Sequence, residues 1–169
     1  DSLAARGTVF SNAFATSAAC TPSRTTLLTG LYERRHGINF NSGSSMSSEA
    51  WQKTYPMLMK DAGYYVGYIG KNHTPVGKNE DGVIGYESGV MDRSFDYWYA
   101  GHRHLGFYPK DKKPHKIFAN ASADTQIEIM EEGMGNFFTP DQAFQQGHNF
   151  LNSRPDDKPF ALLLNFNVP

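Results

Sequence analysis

The one cysteine of the chain, Cys20, opens the run Cys20-Thr21-Pro22-Ser23-Arg24-Thr25-Thr26-Leu27-Leu28-Thr29-Gly30. A lone cysteine is ordinarily a small buried hydrophobe, but this one has chemically useful neighbours. Pro22 suits the first turn of a helix and Gly30 suits its end, so Cys20 is expected at a helix entrance. Backbone N–H groups and the helix dipole favour an anion there. Arg24, one turn on, adds a guanidinium suited to an oxyanion or to holding a nucleophile. A second group follows at Gly70-Lys71-Asn72-His73. It lies directly after an apolar run, where α/β sheets place their sites. His36, in His36-Gly37, follows the cysteine helix and could line a pocket. His102 and His104 lie near Tyr97-Trp98-Tyr99, an aromatic set able to meet a sugar. Asp156-Asp157 stands between Pro155 and Pro159 and reads as a turn rather than a metal site. Asn120-Ala121-Ser122 matches the short glycosylation sequon.

The elements that must position these residues follow from patterning. Ser2 to Arg6 with Gly7 reads as the end of a helix, and Thr8 to Phe14 as a strand. The cysteine helix runs to Thr29, and a polar loop with Gly43-Ser44-Ser45 and Ser47-Ser48 follows. Pro56 to Gly63 is a short helix with its stop, and Tyr64 to Ile69 a strand ending at Gly70-Lys71. Residues 74–137 are weakly patterned and predict long loops with a few short elements. Thr139-Pro140-Asp141-Gln142 is a capping box with proline at the first helical position, and Phe144, His148 and Leu151 recur at helical spacing. Arg154 to Pro159 is a loop. Phe160 to Phe166 is a continuously apolar strand of the kind covered on both faces. Helix-then-strand order recurs, which predicts an α/β sandwich with a mainly parallel sheet.

The run at Cys20 resembles the sulfatase signature: Cys, any residue, Pro-Ser-Arg, three free positions, then Leu-Thr-Gly. All seven fixed positions match; at ordinary residue usage a chance match is of order one window in a billion. Gly63-Tyr64-Tyr65-Val66-Gly67-Tyr68-Ile69-Gly70-Lys71-Asn72-His73 resembles the second signature of the same family. It departs from it at Val66, where Ser or Thr is usual, and at Asn72, where an aromatic, Met or Lys is usual. Asn72, next to the site, is expected to alter substrate fit. Less specifically, residues 2–14, Phe95-Asp96-Tyr97-Trp98 and Lys158 to Pro169 also resemble sulfatase segments, so the likeness covers nearly all 169 residues.

The resemblance implies a formylglycine-dependent sulfuric-ester hydrolase with an alkaline-phosphatase-like α/β fold. It implies that Cys20 is oxidised to formylglycine by a formylglycine-generating enzyme, and that Pro22 and Arg24 are read by that enzyme. A thiol is a poor nucleophile toward sulfur; an aldehyde hydrate can attack and then expel sulfate by reforming the aldehyde. By the same resemblance Lys71 binds sulfate and the formylglycine oxygen, and His73 contacts the formylglycine hydroxyl and accepts a proton. Arg24 completes the catalytic set, and Lys71, His36 and His102 are the substrate-binding candidates. The family binds a calcium-like ion (calcium or magnesium). Its usual acidic and amide ligands are not found in residues 1–169, so none is assigned beyond contact with the modified Cys20. Residues 1–169 are accordingly expected to be the N-terminal part of a catalytic domain, incomplete at both ends and inactive alone. The expected substrate is a sulfated small molecule or polysaccharide, with a lean to sulfated carbohydrate from the aromatic residues near His102. Export to a periplasmic, secreted or lysosomal-type location is what the family suggests.

Composition bounds the remainder. A net charge of −1 gives no general pull toward nucleic acid. No run approaches the ~20 apolar residues of a membrane span. One cysteine excludes an internal disulfide framework and a multi-thiolate zinc site. Two other readings remain at this stage. One is a phosphonate monoester or phosphodiester hydrolase, because relatives use a similar Cys-x-Pro-Ser-Arg and the two kinds of ester are close in shape. The other is a sulfated-glycan binding relic without catalysis.

Overall fold

A computed structural model describes residues 2–39, 44–102 and 140–166. In chain order the elements are helices α1 (Ser2–Arg6), α2 (Cys20–Thr29), α3 (Glu33–His36), α4 (Ser48–Trp51) and α5 (Tyr55–Asp61), then strand β1 (Tyr65–Asn72). Strand β2 (Tyr97–His102), helix α6 (Pro140–Ser153) and strand β3 (Phe160–Asn165) follow. The three strands form one parallel sheet in the order β2-β1-β3. This is the α/β architecture expected from the alternation of helical and extended patterns.

Strand β1 sits in the middle, and its alternation divides the core in two. Val66 and Tyr68 face one side with Trp98 and Ala100 of β2, packed on Leu28 of α2, Met57 of α5 and Trp51 of α4. Tyr65 and Ile69 face the other side with Tyr99 of β2, packed on Ala143 and Phe150 of α6. The sheet is thus a middle layer between α6 and the group α2, α4 and α5, which is why β1 reads as an unbroken apolar run. Gly67 belongs to this scheme. A Cβ there would lie 2.5 Å from Phe150 Cε2 and 3.2 Å from Leu162 Cδ1, so only glycine lets α6 approach so closely. The start of β1 is pinned as well. Asp96 accepts from the Val66 N–H at 2.9 Å and pairs with Lys60 at 3.0 Å, tying α5, β1 and the entry to β2 together.

Four expectations change. Residues 8–14 are irregular, with Val9, Phe10 and Phe14 exposed. A strand keeps its form only where a neighbour takes up its backbone groups, and no strand of the described sheet does so here. The polar loop after α2 contains two short helices: α3, ended by Gly37 in a left-handed conformation, and α4, capped by Ser47 Oγ accepting from the Ala50 N–H. Tyr97–His102, read as loop, is a strand of the sheet. On α6, Phe144 is 61% exposed and Leu151 and His148 are also on the outside, while Ala143, Gln146 and Phe150 are buried. In addition β3 is half-buried rather than enclosed, because within the described sheet it has a partner on one side only. The sequon at Asn120 and the acidic pair reading divide: Asn120 lies outside the described residues, whereas Asp156-Asp157 forms a turn closed by Lys158 N–H to Pro155 O at 3.2 Å.

The close approach at Gly67 makes a stability prediction. Gly67→Ala should cost about 1–3 kcal/mol through overpacking against the buried Phe150 ring. Adding Phe150→Leu should return part of that loss by clearing the clash. Thermal melting of the two single variants and the double variant checks the coupling; additive losses would show that the ring is not the obstacle.

Candidate active site

Helix α2 begins at Cys20 itself. Its N-cap, Ala19, is extended and offers no side-chain acceptor, and the first intrahelical turn closes through Ser23 N–H to Ala19 O at 3.1 Å. The helix keeps its own polar side chains busy: Thr25 Oγ1 donates to Thr21 O at 2.8 Å and Thr29 Oγ1 to Thr25 O at 2.7 Å. Gly30 ends it with φ of 69°. Cys20 is left exposed at the positive end of the helix.

Strand β1 runs further than its apolar core suggests and carries Lys71 and Asn72 within it. Tyr65, Gly67 and Ile69 face α6, so strict alternation would send Lys71 to that face. Gly70 interrupts the alternation with φ of 99°, a conformation open to glycine and costly for other residues. Lys71 Nζ then comes to 3.8 Å from Cys20 Sγ, although Lys71 is only 7% exposed. A buried stem with its ammonium at the helix entrance adds positive charge where an anion would sit.

The carbonyl oxygen of Lys71 is equally well held. Arg24 Nη1 donates to it at 3.1 Å and the Tyr68 hydroxyl at 2.9 Å. The same Arg24 nitrogen reaches Asn165 Oδ1 at 3.2 Å. Burial pushes the Tyr68 phenol well above its ordinary value, against the opposing charge of Arg24, so it stays a donor at neutral pH. Arg24 therefore meets backbone and amide oxygens of the sheet. Neither Tyr68 nor Asn165 was singled out from the sequence; an amide that ends the run Leu162-Leu163-Leu164 was the available signal.

His73 is buried just past β1, with its ring 6.1 Å from that of Tyr86. Asn72 is fully buried, and its Oδ1 accepts from the Thr74 N–H at 3.0 Å. It shapes the turn that carries His73 rather than lining a substrate surface. His36 has both ring nitrogens engaged. Nδ1 accepts from the Ile38 N–H at 3.1 Å, which leaves Nε2–H to donate to Thr26 Oγ1 at 3.1 Å. It braces α2 to α3 in its neutral form. His102 ends β2 opposite Asn72 in the register, at the same sheet edge as Lys71; its side chain and all of His104 lie outside the described residues. An open pocket of about 210 Å³ lies between α2, α5 and β3, lined by Arg24, Asn165, Tyr55, Tyr68 and leucines. Neither Cys20, Lys71 nor His73 lines it. Among the described residues no group of three or more His, Cys, Asp or Glu side chains could hold a metal ion. They do not by themselves fit the calcium-like ion.

A family model described as Sulfatase matches residues 1–169. The chain is 29% identical over 182 residues to the "Uncharacterized sulfatase YidJ" of Escherichia coli, covering 100% of this chain and 32% of that protein. It is 26% identical to the N-acetylglucosamine-6-sulfatase of Capra hircus, covering 96% and 28% of the two chains. With the N-acetylglucosamine-6-O-sulfatase of Bacteroides thetaiotaomicron it shares 29% identity, over 100% and 25%. The chain thus spans about a third or less of the length of these curated relatives. A solved structure described as a complex with its substrate D-glucosamine-2-N,6-O-disulfate superposes with a TM-score of 0.53 at 20% identity, covering 94% of this chain and 26% of that one. With that likeness the alkaline-phosphatase-like α/β class read from the sequence stands.

The neutral His36 brace predicts a pH effect on stability. Burial lowers its pKa from 6.5, partly offset by Glu33. The unfolded chain therefore takes up this proton first as pH falls. The stability that the brace contributes is complete above pH 6.5 and is lost as pH drops below it toward the lowered folded value. Melting temperatures of wild type and His36→Gln between pH 8 and pH 5, about 1.5 units either side of an ordinary histidine, should converge on the acid side. A constant difference across that range would remove His36 as the source.

Proposed function

The chain belongs to the sulfatase family, and from that premise we propose that it forms the nucleophile-bearing part of a sulfuric-ester hydrolase that uses formylglycine made from Cys20. The observation that carries this reading is the pairing of Cys20, exposed at the first position of α2, with Lys71 Nζ 3.8 Å away. The site fits the modification: the side chain is accessible, and its neighbours favour negative charge. Formylglycine, when present, supplies a hydrated aldehyde whose oxygen attacks sulfur and whose return to the aldehyde releases sulfate.

The chain's own residues do the remaining work. The entrance of α2 and the Lys71 ammonium bind the negatively charged sulfuryl oxygens and hold the group for attack, while the electron pair of the broken ester bond leaves with the sugar oxygen. His73, one residue beyond β1, takes the role of proton acceptor during sulfate release. Arg24 holds the helix to the end of the sheet. The calcium or magnesium ion expected of the family takes its ligands, apart from the modified Cys20, from outside the described residues. A sulfated sugar is the proposed substrate class. Two relatives named for N-acetylglucosamine-6-sulfate cleavage and a structural neighbour bound to a disulfated glucosamine support it. A formylglycine-generating enzyme is the proposed processing partner, and export is the proposed destination. No described helix is long and apolar enough to cross a membrane.

Three variants test this in the protein as its gene encodes it, co-expressed with a formylglycine-generating enzyme. Cys20→Ala should abolish hydrolysis of sulfated sugars and leave the fold intact. Cys20→Ser should stall after one transfer, because a single hydroxyl can accept sulfate but has no second hydroxyl from which to expel it; mass spectrometry should find the sulfated peptide. Full activity with an unmodified thiol at position 20 would refute the formylglycine route.

Lys71→Ala should lower kcat/KM by about 10²- to 10³-fold, the cost of one oxyanion donor. Rates on matched sulfate and phosphate esters then fix the reaction class. A preference for the phosphate or phosphonate ester would replace the sulfatase reading with that of a phosphonate or phosphodiester hydrolase. Absence of turnover on every ester would leave a sulfated-glycan binder.

A further inference from the structure

We propose that Asn165 is a positioning residue for the Cys20–Lys71 pair, acting through Arg24. The proposal deepens the sulfatase reading and rests on it for its kinetic arm alone. Asn165 is the last residue of β3 and lies opposite Gly70 in the parallel register. Its Oδ1 and the Lys71 carbonyl both accept from Arg24 Nη1, at 3.2 and 3.1 Å. One nitrogen of α2 is thereby attached to the carboxyl ends of two strands.

Leu28 packs α2 into the apolar core on this side of the sheet, while the Lys71 contact at Cys20 is the one that has to be held in place. Apolar contact is non-directional and leaves a short helix free to turn or slide against its support. A guanidinium has donors in fixed directions, and Arg24 stands one helical turn from Cys20. Rotation of α2 by a small angle would carry the Cys20 side chain away from Lys71 Nζ, whose own backbone is held by the same bond. The identity of residue 165 points the same way. Leu162, Leu163 and Leu164 precede it, and a fourth leucine would continue the strand without leaving an amide to satisfy. The amide supplies an acceptor aimed at Arg24.

The test uses the protein as its gene encodes it, with wild type, Asn165→Leu and Asn165→Asp. In the converted enzyme, kcat per formylglycine-bearing chain should fall about tenfold or more in Asn165→Leu, with KM little changed, as expected of misplacement rather than lost binding. Asn165→Asp keeps an acceptor for Arg24 and should recover most of that loss. In unconverted protein, the rate at which iodoacetamide alkylates Cys20 should fall several-fold in Asn165→Leu and recover in Asn165→Asp, because the Lys71 ammonium no longer stands beside the sulfur in the leucine variant. The alkylation arm needs no sulfatase activity, so it decides the role of Asn165 even where wild type hydrolyses no sulfate ester. Asn165→Leu with a lower melting temperature but unchanged kcat per site and unchanged alkylation would overturn the proposal. So would an Asn165→Asp variant no better than Asn165→Leu in both arms.

Discussion

Strand β1 is covered on both faces, by α6 on one and by α2, α4 and α5 on the other. No polar side chain can be placed along its length without desolvation. Its chemistry is therefore confined to the carboxyl end, where Lys71 comes within 3.8 Å of Cys20 and His73 follows the strand. Lys71 and His73 are there for that reason. The enclosed strand also fixes which neighbours are tolerated: a glycine under Phe150, aromatic rings stacked from Tyr68 to Trp98 at 5.1 Å, and an aspartate at residue 96 to take the Val66 N–H.

At that end one carbonyl organises three elements. The Lys71 oxygen accepts from Tyr68 on its own strand and from Arg24 on α2, and Arg24 extends the link to β3. Below it the backbone at Gly70 departs from the strand conformation, which turns the Lys71 side chain toward α2. The entrance of a helix and the end of a parallel strand each present a partial charge suited to anions or to their ligands. Here they are brought within one side-chain length of each other, and the cation between them comes from the strand.

Much of this was legible beforehand. The proline and glycine that bracket α2 placed Cys20 at its first residue, and the apolar run at Tyr64–Ile69 placed Lys71 beside the sheet. Strand β2 was missed because its residues 98–101 are all buried and carry no polar–apolar alternation to betray it. The inner row of α6 contains Ala143 and Gln146, while its outer row contains Phe144 and Leu151, an order that helical spacing alone does not assign. Gln146 is held inside by the Tyr97 hydroxyl, a partner that periodicity cannot reveal. The same holds for Arg24. Its residue type announced an anion site, but its acceptors are a backbone oxygen and an amide distant in sequence, and neither leaves a trace in local spacing.

The link from Arg24 to Asn165 spans 141 residues. On a ribosome adding about 5–20 residues per second, α2 would emerge on the order of ten seconds before its second strand anchor exists. Closing so long a loop also carries an entropic cost that is met only once the intervening layers have packed. The cysteine segment is thus the first part of the site to be synthesised and among the last to be locked. During nascent-chain growth it lacks that second anchor, over an interval set by the order of the strands along the chain.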